Sequence, residues 1–154
     1  MSDIVRGTTV LAGPLETTFE ITGDMVGGAY CVVRQTVKAG SLFWPHIHVN
    51  EDQVIVVLSG ELGVRVGDEE WTASAGETVY RPKGLPHAVW NSGAVDVEML
   101  EITSPGNFDQ YLAGMAEVTA SGDAQARAAL LERFQVSPVE GWSAELCAKH
   151  GVSE

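Results

Sequence analysis

The sequence predicts an all-β fold, an antiparallel barrel or double-sheet jelly roll, carrying a short α-helical extension on its C-terminal side. Three observations predict it. Short apolar runs rich in β-branched residues recur at regular spacing between Thr17 and Thr103. Glycine-containing turns separate those runs. After Pro105 the apolar period lengthens from two to about 3.6 residues. Residues 1–104 are therefore expected to form a β-barrel domain. Residues 105–154 form the helical extension, packed on the barrel or in a dimer interface.

Each element has its own signal. Residues 17–22 and 30–38 are rich in strand formers, and a stretch with three glycines, 23–28, parts them. A further strand follows Gly40 and carries His46 and His48. Residues 53–58 are apolar after the first, and Ser59-Gly60 turns the chain into 62–66. There Leu62, Val64 and Val66 alternate with Gly63 and Arg65, the pattern of a half-buried strand. Gly67-Asp68 then makes a hairpin with 71–73, and 78–80, 88–90 and 95–103 complete the series. Beyond Pro105, Phe108, Leu112, Met115 and Val118 recur at helical spacing, with Asn107 placed to cap them. Ala126, Leu130 and Phe134 mark a second helix after Ser121-Gly122-Asp123. Residues 143–150 form a third, stopped by Gly151. These apolar stripes are too large to stay wet, and are expected on the outer face of the barrel or on a second subunit, away from the candidate site.

Composition narrows the function classes. A chain of 154 residues with 45% hydrophobic content suits one globular domain with a sizeable core. Its net charge of −12 argues against nucleic acid and anionic membrane surfaces as partners. Met1-Ser2-Asp3 has no basic start and no apolar run follows, so a cytoplasmic location is expected. No run approaches the roughly 18 apolar residues of a membrane span. Cys31 and Cys147 are expected as reduced thiols.

The chemistry concentrates in two segments. In the first, His46 and His48 stand two apart and Gln53 follows five later; in the second, His87 follows a Pro/Gly turn. Residues i and i+2 of a strand share a face, so His46 and His48 can grip one ion from one strand. Gln53 and His87 would reach the same ion from two further strands. The expected metal ligands are thus His46, His48, Gln53 and His87. By the same alternation, Trp44, Ile55, Val57, Val64, Val89 and Met99 are expected to line an apolar, partly aromatic substrate pocket. Two carboxylates are candidate bases. Glu51, beside Asp52, could replace a missing ligand carboxylate. Glu101 serves only if Val97, Met99 and Glu101 face inward, and the opposite register, with Leu100 and Ile102 inward, is equally open. His150, at a helix end, is expected to cap that helix rather than bind metal.

These residues resemble the two motifs of the cupin superfamily. The second motif, G-x5-P-x-G-x2-H-x3-N, is matched by Gly76, Pro82, Gly84, His87 and Asn91. The first, G-x5-H-x-H-x3,4-E-x6-G, is matched by Gly40, His46, His48 and Gly60, with Gln53 where the family has glutamate. The stretches P-G-N-F-D-Q-Y-L and A-K-H-G-V resemble the helical tail of small, single-domain quercetinase-like cupins. The resemblance implies a double-stranded β-helix and one divalent transition metal (Fe, Ni, Mn or Zn), and the apolar, partly aromatic pocket suits a small organic substrate, aromatic or polyketide-like. The resemblance also implies a homodimer. The first reading is a dioxygenase-type oxygenase. Glutamine donates a neutral oxygen and leaves the ion its full charge, which favours the alternative of a non-redox Lewis-acid cyclase or isomerase. A third reading is a metal-dependent small-molecule binding protein.

Overall fold

A computed structural model describes residues 3–154. Eleven strands and three helices run in the order β1 (Thr9–Ala12), β2 (Leu15–Ile21), β3 (Cys31–Val37), β4 (Ser41–His48), β5 (Asp52–Ser59), β6 (Glu61–Val66), β7 (Glu69–Ser74), β8 (Thr78–Arg81), β9 (His87–Asn91) and β10 (Val97–Ser104), then α1 (Phe108–Ser121), α2 (Ala124–Phe134), β11 (Val136–Pro138) and α3 (Trp142–His150). The strands form two antiparallel sheets, β1-β2-β3-β10-β5-β8 and β11-β4-β9-β6-β7. The expected jelly roll with a C-terminal helical region is what the chain adopts. Two strands lie outside the sequence expectation. β1 is half exposed, and β11 is three residues long and contains a proline, so neither carries a clear alternating signal.

Inward faces follow the period-two pattern. Ile55, Val57, Leu62 and Val64 meet Val37, Val79, Val97 and Met99 between the sheets, all of them buried. In β10, Val97, Met99, Glu101 and Thr103 point inward, and Ile102 is 37% exposed, which settles the open register. Gly63 lies so close to Trp90 that an added Cβ would fall 2.1 Å from its indole nitrogen. β4 breaks the pattern. Phe43 pairs with Val89 and His46 with His87, so one extra residue is accommodated on β4 across Trp44-Pro45. A bulge of this kind re-aims side chains, and here it puts Phe43 and His46 both on the interior side.

The tail is built into the fold rather than laid on its outside. Phe108, Tyr111, Leu112 and Met115 of α1 share one buried cluster with Phe19, Cys31 and Val33 of the larger sheet and with Phe134 and Val136. β11 pairs with β4 in register Val136↔His48 and Pro138↔His46, covering the edge of the ligand-bearing strand. The start of α1 is pinned by backbone. Gly23 N–H donates to Asp109 Oδ2 at 2.8 Å, and a Cβ on Gly106 would meet Tyr30 O at 2.5 Å. Asn107 makes no side-chain cap, because its backbone is already helical. Asp123 does cap α2, accepting from Ala126 N–H at 2.9 Å. α3 ends at left-handed Gly151. Cys31 and Cys147 are free thiols, and burial first, then nearby Glu101 and Asp109, push the Cys31 thiol up to about 12. Among the described residues no helix is long and apolar enough to cross a membrane.

Candidate metal centre

Three histidines converge in the interior. His46 and His48 come from β4, His87 from the start of β9, and all three are buried. One ring nitrogen from each lies within 4.8 Å of the others. Two Nδ1 atoms face acceptors, Trp44 O at 2.7 Å for His46 and Leu85 O at 3.3 Å for His87, while His48 Nδ1 lies 3.4 Å from Glu51 Oε2 without a hydrogen bond. Such acceptors hold the Nδ1 proton and leave Nε2 as a lone pair. His46 Nε2 and His87 Nε2 then face each other at 3.2 Å with no proton between them. Two lone pairs repel at that distance unless a cation sits between them. For metal–nitrogen bonds of about 2.0–2.1 Å, adjacent ligand atoms stand roughly 3.0–3.4 Å apart, so the separation fits.

Burial and neighbouring charge keep these rings neutral. Burial, then His48, lower the His46 pKa well below the usual imidazole range, and burial and Arg81 lower that of His87. His48 falls to about 3, by burial and then by Arg81. Neutral imidazoles are what a metal requires. Gln53, at the head of β5, is buried and donates from Nε2 to Thr103 Oγ1 at 3.3 Å. Its Oε1 has no partner, and Gln53 lines the same cavity as His46. The donor set of three imidazoles and one amide oxygen fits a divalent transition ion.

The two candidate carboxylates are buried in different places. Glu51 turns in toward His48, and burial raises its pKa. Its neighbour Asp52 points outward to Tyr80 Oη and the Lys83 backbone N–H. Glu101 lines the cavity, with Oε2 held by the guanidinium of Arg81 and Oε1 unpartnered. His150 is not part of the histidine cluster; it stacks on Trp90 and bonds Glu70 at 2.8 Å.

The expected pocket is partly corrected. Val89 and Met99 line the cavity, but Ile55, Val57 and Val64 are sealed in the close-packed core and do not. Trp44 is displaced by the bulge and lies in a neighbouring groove of about 200 Å³, beneath the guanidinium of Arg127 at 5.0 Å. Phe43 takes its place. The lining is mostly apolar and partly aromatic as expected, through Leu15, Phe43, Val89, Met99, Phe108 and Leu112, but Gln35, Arg81 and Tyr111 join Gln53 and Glu101 in it. Sequence reasoning missed Arg81 and Gln35, although both stand in phase with inward valines, Val79 and Val33, two residues before them. It also placed the tail away from the site. α1 instead roofs it: the Phe108 ring lies 5.0 Å and the Tyr111 ring 6.1 Å from that of His48, both edge-on.

Comparison with known proteins agrees with this geometry. Residues 33–103 match the cupin domain family model. A Thermotoga maritima structure described as a predicted oxalate decarboxylase superposes with a TM-score of 0.58 at 21% identity, over 66% of this chain and 97% of that one. An oxalate oxidase structure gives 0.55 at 23% identity, over 67% of this chain and 57% of its own. Among curated proteins, a mannose-1-phosphate guanylyltransferase of Salmonella muenchen is 32% identical over 78 residues, 51% of this chain. The match spans only 16% of that relative's length. With both motifs, the two-sheet jelly roll and the three inward histidines in place, this chain carries a cupin domain over residues 33–103.

Proposed function

We propose that the protein is a mononuclear divalent-metal enzyme that performs a non-redox isomerisation or cyclisation on a small carbonyl compound. The observation that carries the reading is a group of neutral donors, two of which (His46 and Gln53) line a cavity that also holds a carboxylate oxygen left free. His46, His48, His87 and Gln53 would hold the ion, and none of them cancels its charge. When bound, such an ion polarises a carbonyl and stabilises developing enolate charge. Glu101 is the group placed to accept a proton at Oε1, while Arg81 holds Oε2 and fixes the carboxylate. Glu51 stands one step back, with its carboxylate 3.4 Å from His48 Nδ1, where a small shift would let it orient that ring. Phe108, Tyr111 and Leu112 roof the cavity and exclude water. The likenesses below 25% identity speak for the fold alone, and the match to the guanylyltransferase covers too little of that protein to carry its activity across.

A second reading, a dioxygenase holding iron, nickel or manganese, is favoured by the closure of the cavity, whose volume of about 20 Å³ suits a diatomic gas. One experiment separates the two. Protein purified without a chelating tag is analysed for metals, then incubated with a panel of enolisable ketones and aldehydes in D2O under nitrogen and, separately, in air with oxygen uptake followed. We expect about one divalent ion per chain, and deuterium uptake next to a carbonyl that Glu101→Gln abolishes. Oxygen consumption with no exchange under nitrogen would replace this reading by the oxygenase; metal content at trace level would remove both.

A further inference from the structure

The cavity beside the histidines has a volume of about 20 Å³, room for roughly one water-sized group. Five polar atoms on side chains that line it are buried without a hydrogen-bond partner: Gln35 Oε1, Gln53 Oε1, Arg81 Nε, Glu101 Oε1 and Tyr111 Oη. Buried polar atoms are rarely left so, and several around one cavity point to a missing ligand. The ion accounts for Gln53 Oε1. Gln35 donates from Nε2 to Thr17 Oγ1, which leaves its Oε1 as an acceptor. Four atoms then remain. Two only accept (Gln35 Oε1 and Glu101 Oε1), one only donates (Arg81 Nε–H), and the Tyr111 hydroxyl can do either.

We infer that this cavity receives a hydroxyl group of the substrate, next to an oxygen on the metal, so that the substrate is a neutral hydroxy-carbonyl compound. The inference rests on the metal-enzyme reading and adds the substrate class to it. A hydroxyl donates to Glu101 Oε1 or Gln35 Oε1 and accepts from Arg81 Nε–H or Tyr111. A carboxylate brings only acceptors, and would set a negative oxygen against Glu101 in a dry cavity. Arg81 gives it no surplus attraction, because Glu101 already balances that charge, so a carboxylate would be drawn to the ion and not into this cavity. A methyl group of similar size leaves all four atoms unpaired. The tail thereby supplies a specificity determinant: Tyr111 belongs to α1, outside both histidine-bearing segments.

Three probes of equal heavy-atom count test this: hydroxyacetone, 2-butanone and propionate. Each is titrated into cobalt(II)-loaded full-length protein, and binding is read from the visible cobalt spectrum. We expect hydroxyacetone to bind at least tenfold more tightly than either of the others. Tyr111→Phe removes a hydroxyl that has no partner in the fold and should leave the protein folded, while shrinking that preference severalfold. Hydroxyacetone and 2-butanone binding equally, or propionate binding most tightly, would overturn the inference and leave the metal site standing. Failure of cobalt to bind would bring down the metal reading and this inference together. A preference unchanged in Tyr111→Phe, Gln35→Leu and the double Arg81→Met, Glu101→Met variant would show that the cavity plays no part in it.

Discussion

Gln53 sets how strongly the metal site can act. In the usual cupin pattern a glutamate stands here, and its charge would offset half that of a divalent ion. With glutamine a bound ion would keep its double charge among buried neutral donors. Gln53→Glu should therefore retain metal but slow carbonyl-directed exchange by at least about tenfold, since the added carboxylate weakens the Lewis acid and raises the pKa of bound water. Exchange rate and metal content, measured together on the two proteins, check this. Equal rates would mean that residue 53 only completes the coordination shell. The shared face of His46 and His48 was legible from spacing, because period-two alternation fixes it within one strand without any knowledge of the fold. Arg81 was legible in principle from the same rule, yet a charged residue in phase with a valine reads as an error until its partner is known. That partner, Glu101, lies 20 residues on, in a strand whose register the sequence left open.

At the scale of elements the strands were readable and the placement of the tail was not. Alternation in β5, β6 and β10 carries its own inside and outside, whereas a helical stripe says only that something covers it. Here the cover is the metal chamber. Phe108 is 2% exposed and packs its ring edge on His48, so α1 couples core stability to the integrity of the site. Phe108→Ala should cost about 3–5 kcal/mol, the range for emptying a buried aromatic position. It should also open the roof and raise exchange of the bound metal with an external chelator. Urea denaturation and chelator kinetics measure the two effects. Loss of stability with unchanged chelator kinetics would separate the helix from the site and make it packing alone. The failed expectation for Trp44 has a similar origin, since a bulge inserts one residue and inverts the alternation without marking itself in composition.

For the molecule as a whole, the buried histidines make stability depend on pH. Their folded-state pKa values lie below the ordinary imidazole value of 6.5, with His48 near 3 and His46 and His87 also well down. In the unfolded chain all three titrate near 6.5. Below that pH the unfolded state binds protons that the folded state refuses, so stability falls as pH drops, beginning at about 6.5 and continuing toward the folded values. Each group contributes up to about 1.4 kcal/mol per pH unit in that window, and three together approach 4 kcal/mol per unit. A typical domain has only about 5–15 kcal/mol to lose. Glu51 and Asp109 act with the opposite sign, because burial raises their pKa values: each adds stability as pH falls from its raised folded value down to the ordinary 4.5 or 3.8, offsetting part of the histidine loss. The metal-free protein should therefore lose most of its stability between pH 6.5 and 5. A divalent ion, which competes with protons for the same nitrogens, should move the transition to lower pH. Urea unfolding midpoints of stripped and zinc-loaded protein at pH 7.5, 6.5 and 5.5 test both statements. A stripped protein equally stable at all three would mean that the rings take up protons without unfolding, and the enclosed, neutral character of the centre would have to be given up.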